Sequence, residues 1–347
     1  MKILNSKLKV AVLAGGIGEE RDISIRSGAC VSEALKQAGL KVTAADITPN
    51  NLSILDDTSI DVFFVALHGR FGEDGQLQQI LEDKSLLYTG SAPAASRLAF
   101  DKLASKKHFT DASVATPKAV KFDTQIQTRE LLEQIRQLGE RFVVKPLRQG
   151  STIGVSIADT PESALAAARD CLSKFGDCMV EQFISGREVT VSILQTRTLP
   201  IIEVRSKTGF YDYHAKYIDE RTEFLFDTID QPELIAKINT AALNCFNALG
   251  CRHLGRVDFI LGNDGIPYAL EINSIPGLTA HSLLPKAAAK IGLSMSDLCL
   301  KIIEAALEEK QHKVPTIEPA AGSTKITKSA RKHKTTKEYS VNPTTLD

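Results

Sequence analysis

Arg256-Val257-Asp258-Phe259-Ile260-Leu261 and Tyr268-Ala269-Leu270-Glu271-Ile272-Asn273 are two strand-like runs joined by Gly262-Asn263-Asp264-Gly265-Ile266-Pro267. The Asp-Gly pair in the connection is a strong signal for a two-residue type I′ turn. With Asp264 and Gly265 as the turn residues, Asn263 pairs with Ile266; counting outward sets Asp258 across from Glu271 and Arg256 across from Asn273. Side chains alternate along a strand, so Val257, Phe259, Leu270 and Ile272 share the opposite face, which is apolar and can enter a core. Facing residues hold their Cβ atoms about 4.5–5.5 Å apart, and two carboxylates so placed need a cation. Hard oxygen donors with an amide beside them suit Mg²⁺, which commonly shares its shell with substrate phosphates. The pattern points to an enzyme that uses a nucleotide. A solvated face carrying an Arg-carboxylate cluster would fit the same residues, and an odd-length turn would shift the register by one and separate the two acids.

The chain around this hairpin has 347 residues, enough for two or three domains. Its 42 Lys and Arg balance 42 Asp and Glu, so no global charge calls for a nucleic acid or a membrane surface as partner. The charge is uneven: from residue 311 onward there are seven Lys/Arg against three Asp/Glu. Cysteines at 30, 171, 178, 245, 251 and 299 form no C-x-x-C pair, which predicts free, mostly buried thiols in a reducing cytoplasm. The apolar run Val10–Leu13 is too short for a signal peptide, and no stretch approaches the ~20 apolar residues of a membrane span. A cytoplasmic protein is expected.

Strand signals at Lys9–Leu13, Val42–Ile47 and Val62–Leu67, with a helical stripe of Val31, Ala34, Leu35 and Ala38 before Gly39, predict an open α/β domain over residues 1–98. A second α+β unit, 99–185, opens with a charged helix at Asp101–His108. It continues through a 127–138 helix and the Phe142–Lys145 strand to a strand over Cys178–Ile184. The third unit, 186–310, holds strands at Glu188–Leu194 and Ile201–Val204, the hairpin, and helices after Leu283 and Ser294. Residues 311–347, rich in Thr, Ser, Lys and Pro, are expected to be a disordered basic tail.

Four loops look chemical. Gly15-Gly16-Ile17-Gly18-Glu19-Glu20 joins a strand to a helix, where backbone N–H groups can approach a ligand, although the glycines also serve simply to make the turn. His68-Gly69-Arg70-Phe71-Gly72-Glu73-Asp74-Gly75 follows a strand, the position at which open α/β sheets carry ligands. Lys145 ends a β run and leads into Gly150-Ser151-Thr152-Ile153-Gly154, a donor-rich loop able to fold over phosphates. Ser274-Ile275-Pro276-Gly277-Leu278 through Ser282 and Leu283 follows the hairpin acids, and a helix beginning at Ser282 offers a site for a carboxylate. The aromatic segment Phe210-Tyr211-Asp212-Tyr213-His214-Ala215-Lys216-Tyr217 suits a binding loop or an oligomer contact.

In order along the chain, GGIGEERDIS, ALHGRFGEDG, YTGS with FDK, VVKPLRQGSTIG, VEQFISGRE, YDYHAKY, GRVDFI and LEINSIPGLTAHSL resemble the D-alanine:D-alanine ligase family of the ATP-grasp superfamily. The resemblance covers residues 8 to about 308 and implies the three-domain ATP-grasp fold with the nucleotide enclosed between the second and third units. It implies that Lys102, Lys145 and Lys216 reach the ATP phosphates under the Gly150–Gly154 loop, and that Glu181 and Glu188 lie at the adenine and ribose. Asp258, Glu271 and Asn273 would ligate two Mg²⁺ ions, or Mn²⁺ in their place. Arg256 and the Gly277 N–H would hold the transferred phosphate and the oxyanion. Glu20, linked to Ser151 and Tyr217, would anchor the ammonium of the first D-alanine with His68 nearby, while Ser282 and the Leu283 N–H would clamp the carboxylate of the second. The implied reaction is ATP-dependent ligation of two D-alanines through a D-alanyl phosphate, for peptidoglycan synthesis, by a homodimer. Departures are Phe100 for the usual Met, Gln149 for Glu, and Gln182 where Lys is frequent. Tyr217 favours an amine over a D-lactate nucleophile, whereas D-serine stays open. Another ATP-grasp ligase and a non-catalytic nucleotide-binding regulator are the competing readings; the latter has no need of both hairpin acids with Arg256. Attraction of the basic tail to nucleic acid is a further alternative, less favoured than a solvated tail.

Overall fold

The computed structural model describes residues 7–150, 152–206 and 222–313. The described residues up to His312 form one compact unit. Ser151, Lys216, Tyr217 and the tail after Lys313 lie outside the described residues.

The run Val10–Leu13 is apolar on both faces, which suits a parallel strand covered on both sides. Accordingly β1 (Lys9–Gly15) lies between β2 (Lys41–Ile47) and β3 (Val62–Val65), parallel to both, with Val10 level with Val42 and Val62. Val31, Ala34 and Leu35 of α1 (Arg21–Gln37) cover one face, and Leu77 and Leu81 of α2 (Gln76–Asp83) cover the other. The predicted strand to Leu67 stops at Val65, where the chain turns into the polar loop.

Next come α3 (Pro93–Phe100) and α4 (Lys102–Asp111), the latter capped by Asp101, whose carboxylate accepts the Leu103 and Ala104 N–H groups. A four-stranded antiparallel sheet follows, built from β4 (Ala119–Lys121), β5 (Phe142–Pro146), β6 (Ser156–Ala158) and β7 (Cys178–Gln182) in the order β4-β7-β5-β6. Phe142, Val144 and Val180 pack on α5 (Thr128–Arg136) and α6 (Pro161–Phe175). Val143, Lys145 and Glu181 face the other way.

The third sheet comprises β8 (Gly186–Leu194), β9 (Arg197–Thr198), β10 (Ile202–Ser206), β11 (Thr222–Phe226), β12 (Leu254–Gly262) and β13 (Pro267–Asn273) in the order β11-β10-β8-β12-β13, with β9 on β8. Val189, Val191, Val257, Phe259 and Ile272 are buried against α7 (Pro232–Ala248), each contributing about 1.5–3 kcal/mol by leaving water. The chain then forms α8 (Leu283–Lys290) and α9 (Met295–Lys313), whose Ile302 and Ile303 join the first sheet's core. α9 passes the predicted tail boundary at 311 and stays helical to Lys313. All six cysteines are free, five of them buried.

The hairpin keeps the predicted pairing of its acids by a different route. Gly262 N–H donates to Ile266 and Gly265 N–H to Gly262, so Asn263, Asp264 and Gly265 form a three-residue turn with Gly265 at φ 74°. This odd-length turn shifts the register, and Phe259 pairs with Ala269. A bulge at Leu270 then shifts it back: Asp258 lies opposite Glu271, and Arg256 opposite Asn273. One prediction fails as a result. Ala269 takes the place in the core, while the half-buried Leu270 lines the cavity described next.

Candidate active site

A cavity of about 470 Å³ separates the polar face of the β4–β7 sheet from that of the β8–β13 sheet. At its hairpin end, Asp258 is held from three directions. Arg256 Nε and Nη2 form a fork on its two oxygens at 2.8 Å each, Thr190 Oγ1 donates at 2.6 Å, and Asn273 Nδ2 donates at 3.1 Å. Lys102 Nζ lies 2.9 Å from the Glu271 carboxylate and also donates to the Gln149 carbonyl at 2.7 Å. The two acids therefore face one cavity, each already against a cation. Among the described residues no three His, Cys, Asp or Glu side chains converge as a metal cage. Two carboxylates and an amide fit Mg²⁺ only when other oxygens complete the shell, which is how Mg²⁺ binds with phosphates.

At the opposite sheet, Lys145 Nζ meets one Glu181 oxygen at 3.0 Å and Lys106 Nζ meets the other at 2.8 Å. Glu181 is only 2% exposed. Burial alone would raise its carboxyl, but the Lys145 and Lys106 charges outweigh that and hold it below the ordinary range. Glu188 lines the same cavity from β8, together with the apolar Val204, Ile260, Phe183 and Ile153. Glu203, also at the cavity, pairs with Arg187 at 3.0 Å and Arg205 at 2.7 Å.

Beyond the hairpin end, Glu20 sits between two loops. A β-carbon at Gly69 would stand 2.5 Å from its carboxylate and one at Gly150 would stand 2.7 Å away, so both glycines leave the room that Glu20 occupies. Glu73 accepts the Gly69 N–H at 2.7 Å and the Ile275 N–H at 3.2 Å. Its enclosure and the neighbouring Glu20 push its carboxyl up to about 8. His68 Nδ1 meets the Ile275 carbonyl at 2.9 Å and therefore carries the proton, leaving Nε2 to accept from Ser27 Oγ at 2.8 Å. The imidazole thus fastens the loop after the hairpin to the first domain.

Burial lowers His68 to about 4 from an ordinary 6.5. Because the folded value is depressed, its contribution is complete above pH 6.5 and is lost as pH falls towards 4, amounting to about 3 kcal/mol. Glu73 runs the opposite way, stabilising more as pH falls from about 8. Comparing wild type with His68→Asn by thermal melts across pH 4–7 isolates the histidine. The gap between the two is expected to shrink as pH falls; a constant gap would refute the assignment.

Gly277 lies where a β-carbon would stand 2.6 Å from Ser282 Oγ. Ser282 begins α8 but bonds backwards, to the Thr279 N–H at 3.1 Å and Thr279 Oγ1 at 2.8 Å, and Leu283 follows it buried in the first helical turn. Gly277→Ala is expected to displace this corner, because the added carbon would stand 2.6 Å from Ser282 Oγ, and so to lower the melting temperature. Thermal melts of the two proteins would check it; an unchanged midpoint would contradict it.

The structure brings Lys102, Lys145, Glu181, Glu188, Asp258 and Glu271 to one cavity, and Asn273, Gly150, Arg256, Glu20, His68, Gly277 and Ser282 around its hairpin end. Ser151, Lys216 and Tyr217 lie outside the described residues. Lys106, Glu73, Arg187, Glu203 and Arg205 were not anticipated. Lys106 had one legible signal: it lies four residues after Lys102 on one helix, a like-charge pair that needs counterions.

A family profile described as the D-ala D-ala ligase C-terminus matches residues 110–304. A D-alanine–D-alanine ligase of Syntrophotalea carbinolica is 41% identical over 298 residues, covering 86% of this chain and 96% of that protein. The chain belongs to the D-alanine–D-alanine ligase family. Another member, from Thermotoga petrophila, is 42% identical over 304 residues, covering 86% of this chain and 97% of its own. Among solved structures, the Bacillus anthracis D-alanine–D-alanine ligase complexed with ATP superposes with a TM-score of 0.77 at 33% identity, covering 89% of this chain and 99% of that one. A D-Ala:D-Ser ligase from Enterococcus faecalis gives 0.75 at 27% identity, covering 86% and 99%. The fold is that of the ATP-grasp enzymes. No described helix is long and apolar enough to cross a membrane.

Proposed function

We propose that this chain ligates two D-alanines to D-alanyl-D-alanine, converting ATP to ADP and phosphate through a D-alanyl phosphate, as a cytoplasmic step of peptidoglycan precursor synthesis. The observation that carries the reading is Asp258 facing Glu271 at one end of a cavity whose other wall presents Lys145, in a chain of this family. The three sheets correspond to a substrate domain (1–98) and two grasping subdomains (99–185 and 186–310), and a homodimer is expected.

The apolar residues near Glu181 would take the adenine and Glu188 the ribose, with Lys102 and Lys145 towards the phosphates. Asp258, Glu271 and Asn273 would hold two Mg²⁺ ions, whose charge would offset that of a transferred phosphoryl group. Glu20 anchors the ammonium of the first D-alanine, aided by Ser151 and Tyr217, while His68 holds the wall beside it. The carboxylate of that D-alanine attacks the γ-phosphate. The free amine of a second D-alanine, its carboxylate fixed by Ser282 and the Leu283 N–H, then attacks the acyl phosphate carbonyl. Arg256 and the Gly277 N–H stabilise the oxyanion until phosphate leaves. Acyl phosphates hydrolyse readily, so the site must exclude water while one is present.

The test is competition among D-alanine, D-serine and D-lactate with ATP and Mg²⁺, followed by product analysis, with L-alanine as control. D-alanyl-D-alanine is expected as the main product. ADP release with L-alanine matching that with D-alanine, or another main product, would overturn the reading.

A further inference from the structure

Two sheets that share no strand pairing enclose the nucleotide cavity, so something must fix the sheet bearing Glu181 relative to the hairpin bearing Glu271. Lys106 does not line the cavity, yet its side chain is only 6% exposed. Its ammonium donates to Thr116 Oγ1 at 2.7 Å and to the Pro117 carbonyl at 2.9 Å, and it forms an ion pair with Glu181 at 2.8 Å. Thr116 Oγ1 donates onward to the Ala269 carbonyl at 2.7 Å, and the Ala269 N–H donates to Ala115 at 2.8 Å. Ala269 immediately precedes the bulge residue Leu270, which is followed by Glu271.

We infer that Lys106 is a positioning residue for the nucleotide, a buried strut running Glu181–Lys106–Thr116–Ala269 that aims the Glu181 carboxylate and sets its distance from the Asp258–Glu271 hairpin. The inference rests on the proposed function only in taking the cavity as the nucleotide site. With each carboxylate oxygen of Glu181 on a different lysine, the group has one orientation, and Lys145 is fixed by the same contact. Without Lys106, Glu181 could turn about its remaining partner and Thr116 would lose the donor that points its hydroxyl at Ala269. Burial brings the Lys106 ammonium down to about 8, with Glu181 opposing the fall and Lys145 adding to it. The ammonium therefore stays charged at neutral pH, when Glu181 is ionised.

A bystander in the core would change stability alone, whereas a strut changes nucleotide affinity. MgADP affinity of the full chain, measured by titration calorimetry without D-alanine, is expected to fall about 10- to 100-fold in Lys106→Met, the range typical when a partner orienting a ligating group is removed. KM for ATP should rise in parallel, with KM for D-alanine within about threefold. The double variant Lys106→Met/Glu181→Gln should bind MgADP no worse than the weaker single variant, because Lys106 acts through Glu181. MgADP affinity within twofold of wild type in a folded Lys106→Met protein, or losses that multiply in the double variant, would overturn the inference. If Lys106→Met does not fold, Lys106→Gln, which keeps two N–H donors without the charge, is held to the same criteria. Because MgADP binding needs no amino acid, its result is separable from the dipeptide assay that tests the ligase reading.

Discussion

Glu271→Gln is expected to lower the rate of ADP release with D-alanine by about 10²–10³-fold, the scale of losing several kcal/mol of charge stabilisation at a reacting phosphate. Glu271 is one of two carboxylates that meet across β12 and β13, and the backbone pairing leaves no room to replace it from a neighbouring position. The amide keeps the shape but removes the charge, so the hairpin would present one carboxylate to a divalent ion instead of two. Lys102, 2.9 Å away, would lose its counterion at the same moment. The defect should include a raised Mg²⁺ requirement, visible as partial recovery at high Mg²⁺ or with Mn²⁺ in a coupled ADP assay. Near-normal turnover in a folded variant would remove the metal assignment.

Arg256→Met is expected to cost a similar 10²–10³-fold in kcat, the range for deleting one oxyanion donor, with KM for ATP changed far less. The guanidinium spans two needs. It forks onto Asp258 at 2.8 Å, and its charge reaches both His68 and Glu73. It therefore stands between the metal acids and the site proposed for the first D-alanine. Unlike the Glu271 variant, this one should not recover with added metal if the missing donor acts, as we propose, on the acyl carbon's oxygen. Recovery by Mn²⁺ would mean that Arg256 serves only to hold Asp258 in place.

Much of this was legible because it is local. The apolar run Val10–Leu13 and the stripe Val31, Ala34 and Leu35 are set by burial and periodicity, and each forms the element expected. The alternation of Val257 and Phe259 with Asp258 fixed which face of β12 meets the cavity. What the sequence hid depends on distant partners. Asp-Gly read as a two-residue turn, yet Asn263 joins it, and the compensating bulge at Leu270 lies beside Ala269, whose backbone is bonded to residues 115 and 116. Nothing near residue 270 announces those partners. Lys106 likewise looks like any charged helical residue until Glu181, 75 positions away in sequence, is placed against it. Glu73 is a loop acid whose carboxyl is raised first by its burial and then by Glu20, and both act only once the fold is formed.

The slip at Leu270 divides the tolerance of the hairpin to change. Position 269 fills the interior beneath α7, where a larger side chain must displace Phe259 or its neighbours, whereas position 270 has been turned outward onto the wall of the cavity in which we place the nucleotide. A lineage, or an engineer, could exchange Leu270 for a broader or more polar residue to alter which nucleoside triphosphate is accepted without disturbing the packed interior or the acids one step further on.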